Sequence, residues 1–128
     1  MKLPGSTRNS KLDTRNLNLM STTPDQPIMV FMTAGSVDEA NRLADMLVDQ
    51  RLAACVQIMR EMNSVFRWQG KVETQREVLL IAKTLSSKFA EIEREVVKLH
   101  SYETPEIIAV PLSAGSGPYL EWLKANVS

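Results

Sequence analysis

Apolar and polar positions divide residues 28–127 of this 128-residue chain into alternating strand-like and helix-like segments. The run IMVFMTA (28–34) is continuously apolar between Pro27 and Gly35, the pattern of a strand covered on both faces. SVDE (36–39) follows as a capping box, in which the Ser36 hydroxyl and the Glu39 carboxylate satisfy orphan amides at a helix start. Ala40, Leu43, Ala44 and Leu47 then recur at helical spacing, predicting a helix that runs to about Arg51. AACVQIM (53–59) predicts the second strand.

NSVFRWQGKVETQ (63–75) alternates on either side of Gln69-Gly70, and Gly70 can take the positive φ of a tight turn, so a hairpin is predicted there. EVLLIAKT (77–84) predicts another buried strand. Ser86 or Ser87 is expected to cap a second helix that turns Phe89, Ile92, Val96 and Leu99 inward. IIAVPL (107–112) predicts the last strand, and SGPYLEWLKANV (116–127) a short helix with Pro118 in its first turn. The order β-α-β-β-α-β plus a terminal helix predicts an α+β fold: a ferredoxin-like split β-α-β sandwich with an extra C-terminal helix.

One domain is expected over residues 28–128. Residues 1–27, rich in Ser, Thr, Asn and Pro with no periodic apolar face, are expected to form a disordered tail. Their Lys2, Arg8, Lys11 and Arg15 against Asp13 and Asp25 resemble a transit peptide, so organellar import stands beside the plainer reading of an extended start. Met20 could equally begin the chain.

Charge and composition then remove several function classes. The 15 basic and 15 acidic residues give zero formal net charge, and no basic stripe or RNP1-like segment exists, so nucleic acid is not expected as a partner. No apolar run approaches the roughly 20 residues that span a bilayer, and no signal peptide opens the chain, so a soluble intracellular protein is expected. The loop at Gly35-Ser36 has neither an arginine nor a glycine-rich cradle for phosphate. The single Cys55 lies within an apolar strand and reads as a small core residue. No nucleophile–base pair or other catalytic set is found, so the chain is not expected to be an enzyme.

RLAACVQI (51–58), FRWQGKVE (66–73), LLIAKT (79–84) and HSYETPEIIAVPL (100–112), taken in order, resemble the CutA family of divalent-ion-tolerance proteins. The likeness runs from residue 28 to about 125. It implies a cytoplasmic, ferredoxin-like protein that assembles as a tight homotrimer, is linked to divalent metal tolerance, is proposed to bind copper, and has no established enzymatic activity. The family's copper site corresponds here to Met32, Leu99 and His100, with Ser101 in place of a proline. Met32 and His100 are therefore the candidate metal residues. A Met thioether suits Cu(I), while Cu(II) or Zn²⁺ asks for more nitrogen, oxygen or thiolate donors; Glu103 or Glu106 are candidates to help.

The bland reading of His100 is a solvent-facing helix end, favourable beside the C-terminal carbonyls. Phe66 and Trp68, two apart on the hairpin, share one side and are candidates for a trimer interface, against capping of the domain's own sheet. Lys83, Tyr102 and Glu106 are candidates for an intersubunit cleft, against ordinary solvated roles. Lys71 and Glu73 read as a solvated hairpin face. Two function classes remain: a metal-handling or small-molecule-binding regulatory trimer, and a ligand-free structural or partner-interaction trimer.

Overall fold

The computed structural model describes residues 25–128. The expectations for residues 1–24, including the tail, its import signal and a start at Met20, lie outside the described residues. Strands β1 (Pro27–Ala34), β2 (Cys55–Trp68), β3 (Lys71–Leu85) and β4 (Ile107–Pro111) form one sheet in the order β2-β3-β1-β4. Every neighbouring pair is antiparallel. Helices α1 (Val37–Asp49), α2 (Phe89–Leu99) and α3 (Gly117–Ala125) complete the fold.

The core lies between one sheet face and helices α1 and α2. Alternate residues Ile28, Val30, Met32 and Ala34 of β1 and Val78, Leu80 and Ala82 of β3 cluster with Leu43, Leu47, Ile92 and Val96. Fully burying each of the larger side chains stabilises the fold by roughly 1.5–3 kcal/mol. On the opposite face, α3 covers one end, where Leu123 and Val127 pack on Leu85 and the Lys83 ammonium lies 5.9 Å from the Tyr119 ring centroid. Among the described residues the rest of that face is open: Phe31, Leu79 and Ile81 are half-buried, and Met59, Ile108 and Val110 are exposed.

β2 and β3 outrun the sheet. The β1–β3 ladder ends at Ala34↔Val78, so residues 62–68 and 71–77 pair only with each other and project as a two-stranded arm. Sequence reading separates a strand at 53–59 from a hairpin at 63–75, and the gap between them is a β-bulge within one continuous strand. Met59 faces Leu79 and Met62 faces Glu77, leaving Arg60 and Glu61 opposite Val78 alone. Glu61 takes φ 34°, a left-handed backbone that is costly for a side-chain-bearing residue.

The cause is a conflict of registers. Gln69 and Gly70, at φ 52° and 81°, make a two-residue turn that sets Trp68 opposite Lys71. The core sets Cys55 opposite Lys83, because Val78, Leu80 and Ala82 must face the helices. The two ladders differ by one residue, and the bulge absorbs it. Met62, Ser64, Phe66 and Trp68 thereby share the open face with Cys55, Gln57 and Met59. Cys55 is thus half-buried on the open face rather than inside the core.

Residues just before 28 take part in the fold's hydrogen bonding. Pro27 opens β1, and Asp25 accepts hydrogen bonds from the Ser87 amide at 2.9 Å, the Ser87 hydroxyl at 2.6 Å and the Ser86 hydroxyl at 3.0 Å. Ser86 and Ser87 do not cap α2 with their own side chains. They form a 3₁₀ turn whose orphan amide is met by Asp25 from the start of the domain.

Candidate functional site

The polar centre of the molecule sits where β1 ends and α1 begins. Ser36 caps α1 as expected, its hydroxyl accepting from the Glu39 amide at 3.1 Å. The Glu39 carboxylate reaches one residue further back than a capping box requires and accepts from the Gly35 amide at 3.2 Å. It also accepts from the Ser101 amide at 2.6 Å and the Ser101 hydroxyl at 3.1 Å, 62 residues away. Burial alone would raise the Glu39 carboxyl. The hydrogen bonds from Ser101 and Gly35 outweigh burial and hold it below the usual carboxylate range.

His100 ends α2 with φ −74° and ψ 144°. Leaving the helix there swings its side chain inward: the imidazole is fully buried, while Leu99 is 44% exposed. This reverses the expectation that Leu99 faces the core and that His100 is a reachable helix end. The ring Nε2 lies 2.7 Å from the Thr33 carbonyl oxygen, so Nε2 carries the proton. Nδ1 accepts from the Tyr102 amide at 3.0 Å, with Glu39 Oε2 3.4 Å away. Both ring nitrogens of the neutral imidazole are therefore engaged within the chain.

Tyr102 extends the network across the sheet end. Its ring lies 4.6 Å from His100, centroid to centroid, and packs over Gly35, where a Cβ would stand 3.1 Å from the phenolic oxygen. Its hydroxyl donates to Glu77 Oε2 at 2.9 Å and accepts from Gln75 Nε2 at 2.5 Å. Glu106 stands nearby: burial first and the Glu77 charge second push its carboxyl above the usual range.

The candidates from sequence are thus distributed unevenly. Tyr102 and Glu106 come together, joined by Glu77. Lys83 does not join them; it sits under α3, four rungs from Thr33↔Leu79 along the β1–β3 ladder, about 13 Å at strand spacing. Phe66 and Trp68 are half-buried on the arm. Glu39, Glu77, Gln75 and Thr33 were missed as members of this cluster. Glu77 carried a signal, a carboxylate at the head of the apolar run EVLLIAKT.

The family model for the CutA1 divalent ion tolerance proteins matches residues 28–126. The chain belongs to the CutA1 family. It is 42% identical over 98 residues to the divalent-cation tolerance protein CutA of Thermus thermophilus, covering 77% of this chain and 95% of that protein. It is also 42% identical to the chloroplastic CutA protein of Arabidopsis thaliana, of which it spans about half. Among solved CutA structures, that of Thermus thermophilus superposes with a TM-score of 0.78 at 40% identity, covering 80% of this chain and 99% of that one. The Archaeoglobus fulgidus structure, described as periplasmic, also gives 0.78, at 42% identity, covering 80% of this chain and 99% of that one. CutA proteins are thus named for more than one compartment. No helix among the described residues is long and apolar enough to cross a membrane.

The CutA resemblance implies copper, and the donor set does not fit it. Met32 is fully buried in the apolar core, and Leu99 offers no donor atom. His100 would have to surrender the Tyr102 amide or the Thr33 carbonyl to bind a metal. Among the described residues no group of three His, Cys, Asp or Glu is disposed to hold a metal ion.

Proposed function

We propose that this chain acts as a CutA-type homotrimer of ferredoxin-like subunits in the response to divalent cations, joined through the open sheet face and the arm. It performs no enzymatic step and carries no copper centre at Met32 and His100. One observation supports the reading above others: an apolar surface runs from β4 across the sheet and out along the arm, and no described element covers it. Met59 is 61% exposed, Ile108 54% and Val110 42%, and the half-buried Phe66 and Trp68 carry this face onto the arm. Patches of this kind mark association surfaces, and an isolated two-stranded arm is marginal in water without a partner. Association is argued from this surface, and the number three from the family resemblance.

The test pairs two measurements on purified protein. Ile108→Lys, on the exposed edge strand β4, lowers the mass in light scattering while leaving the folded CD spectrum intact. Equilibrium titration with Cu(I), Cu(II) and Zn²⁺, beside a chelator control, gives the same isotherm for wild type and Met32→Leu. An unchanged mass for Ile108→Lys would remove the interface, and a copper isotherm weakened at least tenfold by Met32→Leu would restore the metal centre.

A further inference from the structure

The body of the open face carries one charge. From Cys55 to Met59 of β2, and across their partners on β3, β1 and β4, side chains alternate between the core and the open face. Of those on the open face only Lys83 is ionised, set between Cys55 on β2 and Met29 on β1. Lys83 is half-buried, its ammonium lies 5.9 Å from the Tyr119 ring centroid, and it forms no ion pair with a described residue.

The arm presents the opposite charge on the same face. Glu73 pairs with Phe66 across the arm, so its carboxylate stands beside the Phe66 ring on the side that the bulge turns to the open face. Glu73 is exposed and forms no ion pair with a described residue. The other acid on that side of the arm, Glu77, is buried and already accepts from Tyr102. Laying Phe66 and Trp68 on an apolar face carries Glu73 with them, and a carboxylate stripped of water there needs a cation. Lys83 and Glu73 lie ten residues apart on the one strand β3, about 33 Å at strand spacing, so they do not meet within a chain.

We propose that Lys83 of one copy of this chain and Glu73 on the arm of a second copy form an ion pair within the interface. The inference rests on the assembly reading above. Apolar contact supplies the area of that interface but lets the arm slide along the face; the pair fixes where it seats, because a shifted arm strands both charges without a partner. Glu73 is thus solvated on the single chain and covered only in the assembly.

Exchanging the two charges separates a pair between copies from any role within one chain. Subunit exchange between isotope-labelled and unlabelled protein is followed by native mass spectrometry at neutral pH, with CD as the check on folding. Lys83→Glu and Glu73→Lys each set like charges together and are expected to speed exchange by about tenfold or more. The variant carrying both substitutions restores an opposite pair and is expected to exchange at close to the wild-type rate. That recovery does not come from the Lys83 contact with Tyr119, which the double variant still lacks. A double variant as fast as the faster single one overturns the proposal, and so does either single variant that exchanges like wild type. Should a reversed charge prevent folding, the neutral cycle of Lys83→Met and Glu73→Gln decides: each alone leaves the other charge stranded, so the two effects are expected to be non-additive, and additivity overturns the proposal. Wild-type protein that stays monomeric defeats the assembly reading and this pair together, whereas an assembled wild type indifferent to both charge reversals defeats the pair alone.

Discussion

His100 Nε2 donates to the Thr33 carbonyl oxygen at 2.7 Å, fastening the end of α2 to β1. Its other nitrogen holds the Tyr102 amide, so one imidazole closes two buried backbone groups. His100→Ala leaves both unpaired and opens a cavity. The expected loss is about 3 kcal/mol of stability, a fall in Tm of more than 10 °C for a domain this size. Thermal unfolding by CD checks it. A fall of only 1–2 °C would mean that the ring is a replaceable helix end.

Glu39 sets the acid limit. Its folded carboxyl lies below the usual range because Ser101 and Gly35 bond the charged form despite burial, and Asp25 is lowered by Ser87 and Ser86 in the same way. A depressed carboxyl adds stability that is present above the unfolded carboxylate value of about 4 and is lost as pH falls through the folded value. Tm should therefore drop steeply below about pH 4.5 in wild type and less steeply in Glu39→Gln, which starts from a lower Tm at pH 7. Parallel Tm–pH curves for the two proteins would contradict this role.

The N-terminal boundary can be cut to the residue. Removing residues 1–24 should leave Tm unchanged, because the bonds to Ser86 and Ser87 begin at Asp25. Asp25→Ala in the shortened chain should cost about 1 kcal/mol, the usual worth of a helix-start acceptor. Equal melting of the two shortened proteins would show that the Asp25 contacts carry no net stability.

The bulge makes a prediction about shape. Deleting Glu61 lets the β2–β3 ladder run without interruption, removes the left-handed residue and keeps Trp68 opposite Lys71. The chain should fold with equal or higher Tm, yet its arm should lose the bend and added twist that a bulge supplies. Weakened assembly with intact folding is the expected outcome in sedimentation. Assembly as tight as wild type would mean that the bulge only reconciles two registers.

Much of the fold was legible because its signals are local. The apolar run at 28–34, the Ser36–Glu39 box and the helical stripe through Ile92 and Val96 each report their own surroundings, and the structure agrees with them. What was not legible depends on distant partners. Whether His100 points in or out turns on where α2 stops, and no Gly or Asn marks that stop. The reach of Glu39 to Ser101 spans 62 residues and leaves no periodic trace. The bulge hid as a gap between two readable strands, since a one-residue register shift breaks the alternation that reveals a strand.

The most direct test of the central claim is the mass of the wild-type chain in solution, by light scattering coupled to size exclusion over micromolar concentrations. Burial of the open face and of the arm residues Phe66 and Trp68 between copies predicts three times the 14.4 kDa of one chain, steady on dilution. A mass of 14.4 kDa throughout the series would contradict it.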